Sequence, residues 1–381
     1  MNLRCARKIG YFHCAGCNGN MGITWEHRGA AVRHLQFAPA PSGAWSFQKG
    51  GVITIYKKKW SRQFLGFIAV TMRWPMLLLL SLGRFLKINC IFTVYPGSQR
   101  DVDGYFPKGL KWFLKPVASG KPFVAGVITT GNGLGRGLVL AVPNTVDQFK
   151  QDRKLVGTIM KNLKLTRTLT GARTIAIAGQ GPRFFRSHFP YEQPFVYGLR
   201  GRVFSVVETV ERVTEKHGLQ KEQTTVAILG VGEIGAAIIS NLEEKGYRAV
   251  GIEIRIADGR VEIGREGMER LKGADLVVVQ TPRGDDVVPY YGNLKDTAIL
   301  IDDSHPRITV RPDDVKFYKV AIGRSGVEFK PPLPGYEKYW IPGCVQESMV
   351  VAESGKVDLS QEDFNRRSKE LGFFAHLVDD R

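Results

Sequence analysis

From Ile88 onward the chain alternates short apolar runs with longer amphipathic stretches. The runs at Ile88–Val94, Pro122–Thr130, Leu138–Val142, Thr174–Ala178 and Thr225–Leu229 read as strands, as do Arg248–Ile254, Ala274–Gln280, Thr297–Asp302 and Lys316–Ile322. Between them, Asn144–Leu165 places Val146, Phe149, Leu155, Val156, Ile159, Met160 and Leu163 at helical spacing. Gly201–His217 does the same with Val203, Val206, Val207, Val210 and Val213, and Gly218 stops it. Strands alternating with helices predict an α/β fold.

One strand end carries a motif with a mechanism. Thr225–Leu229 runs into Gly230-Val231-Gly232-Glu233-Ile234-Gly235, and a helical stretch follows from Ala236 to Lys245. The first glycine permits a tight turn, the second lets backbone approach a pyrophosphate, and the third lets helix and strand pack closely. The helix N-terminus attracts the phosphates. Glu253 lies 23 residues after Gly230, near the end of the next strand, where an acid would bind a ribose hydroxyl. Arg255 is two residues further on and would accommodate a 2′-phosphate, so the residues leave NAD and NADP both open. The predicted architecture is a C-terminal Rossmann dinucleotide-binding domain preceded by a smaller α/β substrate domain. The cofactor set is Gly230, Gly232, Glu233, Ile234, Gly235, Glu253 and Arg255, with Thr281 and Pro282 after the third strand of the unit.

Other strand ends supply further candidates. Gln180, Phe184 and Phe185 follow Thr174–Ala178, where loops line the crevice of open α/β sheets; they face a substrate or form core beside a turn. His305 follows Thr297–Asp302 and is either a proton donor or a loop cap. Gly131–Gly137 resembles a phosphate loop, but a strand follows it where a helix is needed, so a hairpin turn is expected. Pro342 and Gly343 suit a helix start and put Cys344 in its first turn, where the helix dipole lowers a thiol's pKa. Glu347, one turn on, shares its face. A thiolate there would hold an acyl group beside a nicotinamide; otherwise Cys344 is a buried, inert cysteine.

Charge changes the picture of the first third. The net charge of +18 is uneven: residues 1–73 hold eleven Lys/Arg against Glu26, residues 74–164 hold thirteen against four acids, and residues 165–381 hold thirty against thirty-one. That excludes a uniformly basic nucleic-acid binder and leaves an acidic partner or an anionic surface. Five cysteines, with Cys14 and Cys17 as a lone CxxC, do not make a disulfide scaffold, and no metal site is expected. The most apolar window, Phe64–Leu82, has Arg73 and Pro75 at its centre, which favours a peripheral anchor or a buried helix over a membrane span. The expected divisions are a basic extension (1–71), an apolar segment (72–87), the substrate domain (88–200), the Rossmann domain (201–342) and a helical return (343–381), in a cytoplasmic protein with peripheral membrane association left open.

The order of parts resembles the cyanobacterial long-chain acyl-acyl-carrier-protein reductases over residues 88–381. Cys344-Val345-Gln346-Glu347-Ser348 resembles that family's Cys-x-x-Glu-Thr element, Gly230–Gly235 its NADPH loop, and Asp302-Asp303-Ser304 its run after a strand. Its Thr-Gly-Asn element is replaced here by Leu199-Arg200-Gly201-Arg202. The resemblance implies attack of Cys344 on a fatty acyl thioester, then hydride transfer from NADPH to release an aldehyde. The acidic acyl carrier would dock on the basic first domain. Two alternatives stand beside it: a noncovalent, shikimate-dehydrogenase-like oxidoreductase on a small keto or hydroxy acid, and a dinucleotide-binding protein without turnover.

Overall fold

The structure is a computed structural model that describes residues 81, 87–96, 118–131, 135–179, 181–188, 194–257, 260–312, 315–333, 336–337 and 339–379. The basic extension, the Phe64–Leu82 window apart from Ser81, the CxxC and Gln180 lie outside them. Among the described residues no helix is long and apolar enough to cross a membrane, and no cluster of His, Cys, Asp and Glu could hold a metal ion.

The first sheet contains β1 (Ile88–Val94), β2 (Phe123–Thr129), β3 (Arg136–Ala141), β4 (Thr174–Ile177), β5 (Phe195–Val196) and a late strand, β13 (Glu328–Lys330), in the order β13-β2-β3-β1-β4-β5. β1, β3, β4 and β5 are parallel, whereas β2 pairs antiparallel with both β3 and β13. The β2–β3 pairing makes Gly131–Gly137 a hairpin connection, as its sequence context implies. Gly131 donates to Gly326 O at 2.8 Å, which brings the turn before β13 against it.

The helical stretch expected over Asn144–Leu165 is two helices, α1 (Val146–Gln151) and α2 (Arg153–Thr170). Asp152 breaks them apart: its backbone is extended, and its carboxylate accepts from Leu155 N to cap the second helix. A further helix, α3 (Gly181–His188), replaces the loop expected after β4.

α4 (Leu199–Lys216) leads into the second sheet, built from β6 (Thr225–Leu229), β7 (Arg248–Ile252), β10 (Leu276–Val279), β11 (Ile299–Asp302), β12 (Lys316–Gly323), β14 (Trp340–Ile341) and β15 (Phe374–Asp379). The order is β14-β12-β11-β10-β6-β7, with β15 antiparallel on the free edge of β12. β7, β6, β10, β11 and β12 are all parallel. β6 is apolar throughout because both its faces are covered. Val226 and Ile228 pack under the valine stripe of α4, while Ala227 and Leu229 pack with Leu271 and Val287 on the other face. Each such buried aliphatic side chain contributes about 1.5–3 kcal/mol, so this strand and the loop it delivers are firmly placed.

The chain order β6, β7, β10 reverses direction between β6 and β10, and such a switch point opens a crevice at the strands' C-terminal ends. The expected strand Arg248–Ile254 breaks at Glu253. Past it the chain forms an antiparallel hairpin, β8 (Ile254–Ala257) with β9 (Arg260–Ile263), and then α6 (Arg265–Lys272). The helix after the glycine loop is α5 (Glu233–Glu244).

The return segment is α7 (Gly343–Ser354) and α8 (Gln361–Glu370). Val345, Met349 and Val350 of α7 share a core with Phe92, Val94 and Ala176 of the first sheet and with Phe204 of α4. Polar contacts fix its rotation: Thr174 Oγ1 donates to Ser348 O at 3.0 Å, Arg173 donates to Ala352 O at 2.7 Å, and Asn89 donates to Glu353 at 2.7 Å. α7 therefore joins the two sheets, and its first turn opens at the cleft between them.

Candidate active site

The glycine loop has the geometry its sequence implies. Gly230 sits at φ +109°, and a Cβ there would lie 2.9 Å from Gln280 O, so only glycine makes the turn without strain. A Cβ on Gly235 would overlap Gly230 O, the close helix–strand approach. Gly232 has open space around its Cα and is the N-cap of α5 without a side-chain cap, so the backbone donors of the first turn face the crevice. This cradle fits a dinucleotide pyrophosphate. Ile234 packs into the core under α4 and anchors the turn. Thr281 and Pro282 lie across the crevice after β10, with the Thr281 hydroxyl donated to Arg283 O at 2.6 Å. Glu253 and Arg255 are both exposed at the end of β7 and in the β8–β9 hairpin, with Arg255 in register with Glu262.

A second cluster forms where β10, β11 and β12 end. β11 pairs with Lys316–Lys319 of β12, and β14 takes over the same edge at Ile322–Gly323. β14 thereby carries Gly343 and Cys344 past the end of β11, toward Asp303. Backbone contact completes the junction: Cβ atoms on Gly201 and Gly343 would each meet the other segment's backbone, so α4 and α7 cross with no side chain between them. Arg200 and Arg202 flank this crossing.

Arg202 donates to Asp303 Oδ2 through Nε at 3.2 Å and Nη2 at 2.8 Å, and Asp303 pushes its pKa higher still. Gln280 donates to the same oxygen at 3.0 Å, which ties this cluster to the glycine loop. Lys319 is buried and donates to Asp302 O and Ser304 O, both at 2.8 Å. Burial pulls its pKa down, against the pull of Asp302 and Asp303. Asp302 is fully buried and organises the turn: it accepts from Ser304 N at 2.8 Å, from Ile308 N at 3.0 Å and from the Ser304 hydroxyl. His305 stands on this turn with its outer face in solvent and its ring 5.5 Å from that of Tyr336. Crowding of its inner face, then the Lys319 ammonium, hold its pKa below the ordinary histidine value.

Cys344 is in the first turn of α7, as expected, but its surroundings oppose the thiolate activation expected from that position. The N–H groups of Cys344 and Val345 do favour the thiolate, yet burial and then the charge of Glu347 outweigh them and push the thiol up to about 12. Glu347 does not serve as a free acid or base either. Its carboxylate accepts from Arg200 Nε at 3.1 Å, from Nη2 at 3.0 Å and from Gly201 N at 3.1 Å, clasping α4 to α7.

The substrate role expected for the aromatics is also corrected. Phe185 is a core residue of the first sheet, edge-on to Phe149 at 5.6 Å. Phe184 packs on the same core, under the Lys150 ammonium at 5.5 Å. Helical spacing turns both rings inward once the segment coils into α3. Arg202, Gln280, Lys319 and Tyr336 are the site residues that sequence reasoning missed. For Arg202 a signal existed: the Arg-Gly-Arg at the start of α4. For Lys319 there was none, because one lysine in a strand run carries no periodic mark.

No protein-family model matches the chain, and no curated protein matches it. Several solved structures are similar to it. Malic enzyme from Pyrococcus horikoshii is 14% identical over 88% of this chain and 78% of that one, with a TM-score of 0.42. NAD-dependent malic enzyme from Thermotoga maritima is 12% identical over 88% and 95%, with a TM-score of 0.38. Glutamate dehydrogenase from Peptoniphilus asaccharolyticus is 11% identical over 76% and 75%, with a TM-score of 0.35.

Proposed function

We propose that this chain is an NAD(P)-dependent oxidoreductase that interconverts a small hydroxy acid and its keto acid without a covalent intermediate. The carrying observation is the cluster of Arg202, Lys319 and His305 at the strand ends beside the glycine loop, next to a thiol held neutral. A bound nicotinamide dinucleotide supplies the hydride acceptor or donor; Gly230, Gly232 and Gly235 would hold its pyrophosphate, and Glu253 or Arg255 its adenosine ribose.

The protein's own residues do the rest. Arg202, oriented by Asp303 along one edge, presents its guanidinium to the substrate carboxylate. Lys319 fixes the Asp302–Ser304 turn and thereby His305. In oxidation, the neutral imidazole of His305 would accept the substrate's hydroxyl proton as the carbonyl forms, the bound nicotinamide supplying the acceptor for the hydride. Reduction returns that proton to the new hydroxyl. Tyr336 stacks on His305, and its own phenol is held protonated by burial.

The proton transfer sets the pH profile. Because the His305 pKa lies below its ordinary 6.5, kcat/KM for oxidation should rise with pH up to that lowered value and then stay level. Reduction should fall over the same window. His305→Gln should flatten both limbs; an unchanged profile would remove His305 from the mechanism.

The thioester-reducing reading is tested separately. It needs Cys344 as nucleophile, so Cys344→Ala would abolish turnover of fatty acyl thioesters. On the reading proposed here, the wild type oxidises reduced nicotinamide cofactor with small 2-keto acids. Cys344→Ala then keeps that rate within about threefold, because a half-buried thiol held neutral takes no part in the chemistry. A loss beyond a hundredfold in the alanine variant would return the covalent mechanism to first place.

A further inference from the structure

We propose that Arg186 clamps the cofactor's pyrophosphate from the opposite half of the cleft; the inference rests on the dinucleotide-binding reading above. Arg186 belongs to the first sheet's layer, where the preceding residue, Phe185, is locked in the core. Its side chain nonetheless leaves that layer and meets the glycine loop. Nη1 donates to both carboxylate oxygens of Glu233, at 2.8 and 2.7 Å, and Glu233 is the first residue of α5. The guanidinium also lies over the Tyr197 ring at 5.9 Å, an aromatic prop that limits its swing.

As a stabilising contact this pair is weak. The Glu233 side chain is 56% exposed and water screens the attraction. As part of a phosphate site it has a clear use. A carboxylate in the first turn occupies the positive end of the helix and opposes an arriving phosphate by like charge. Arg186 neutralises that carboxylate. When the pyrophosphate settles on the α5 N-terminus, the same guanidinium stands beside a doubly charged oxyanion group, a better partner than one solvated carboxylate. The cradle is then closed from both sides: backbone N–H groups from the second sheet and a guanidinium from the first.

The two members of the ion pair thus have opposite effects, which a purely structural salt bridge would not produce. The test is titration of NADH and NADPH against the full chain, followed by nicotinamide fluorescence. Arg186→Gln should weaken binding about 10- to 100-fold, the loss of a charge-assisted hydrogen bond to phosphate, and should reduce the salt dependence of Kd. Glu233→Gln should tighten binding a few-fold. Arg186→Lys, which keeps the charge without the fork, should fall between wild type and Arg186→Gln and serves if the glutamine variant misfolds. Unchanged affinity in Arg186→Gln, or equal weakening in both Gln variants, overturns the clamp while leaving the dinucleotide site standing. Failure of the wild type to bind either nucleotide overturns both.

Discussion

Glu347→Ala is expected to lower the unfolding free energy by about 3–5 kcal/mol, the range for removing one partner of a buried ion pair. The side chains of Glu347 and Arg200 are only 4% and 17% exposed, and the carboxylate also accepts the Gly201 N–H at the start of α4. Alanine would leave the Arg200 guanidinium with Leu359 O but without its buried counter-charge, and would free the junction at which α4 and α7 cross. The burial that makes the pair costly to break also raises the Glu347 pKa, in spite of Arg200. A carboxyl whose folded pKa is raised adds stability below its unfolded value and loses it as pH climbs through the folded one. The wild type should therefore shed some stability as pH rises past the ordinary carboxylate range. Glu347→Gln should remove that slope and cost less than alanine, since an amide still accepts from Gly201. Joint replacement by Arg200→Met and Glu347→Leu should cost less than Glu347→Ala alone. Urea unfolding at two pH values measures all three, and an alanine variant within about 1 kcal/mol of wild type would show that the clasp is idle.

Arg202→Ala is expected to cut kcat/KM for small keto acids by roughly 30-fold to several thousand-fold, which corresponds to the 2–5 kcal/mol lost when one partner of a desolvated charge pair is truncated. The loss should appear mainly in KM, because the carboxylate contact is made in ground and transition states alike. Arg202→Lys should recover little, since an ammonium cannot hold Asp303 and a substrate carboxylate in one plane. The Kd for NAD(P)H should move little in either variant, and so should Tm, because the Arg202 side chain is 39% exposed and its ion pair is partly screened. Cofactor affinity falling in step with kcat/KM would mean instead that Arg202 holds the crevice together through Asp303 and Gln280.

The two predictions concern neighbouring arginines whose roles diverge because of one glycine. Gly201 allows α4 and α7 to touch backbone to backbone, so Arg200 turns toward Glu347 and Arg202 toward Asp303. In sequence this segment shows only as a departure from the Thr-Gly-Asn element of acyl-acyl-carrier-protein reductases. The cofactor loop was legible because its strand, glycines and helix follow one another directly in the chain, although the atom that crowds a side chain on Gly230 belongs to the distant Gln280. Cys344 was legible as a first-turn residue, but the state of its thiol was not. Dipole and burial oppose each other there, and burial depends on how β14 and α4 enclose α7. For Phe184 and Phe185 the sequence left a substrate role and a core role open for a similar reason, and the structure places them on the core. The segment after β4 has no strong helix signal, and coiling into α3 turns the rings to the core and sends Arg186 out across the cleft.

The sequence by itself determined the alternation of strands and helices, the glycine loop between β6 and α5, and the hairpin of β2 and β3. These follow from hydrophobic period and from the spacing of glycines between strand and helix, both of which are written within a dozen residues. Only the tertiary structure decided which charges meet. Lys319 reaches Ser304, Gln280 reaches Asp303 and Arg186 reaches Glu233 because two sheets, one return helix and two strand edges converge there. Contacts between residues far apart in the chain depend on that convergence, and Coulomb and desolvation energies depend on the distances and burial it creates.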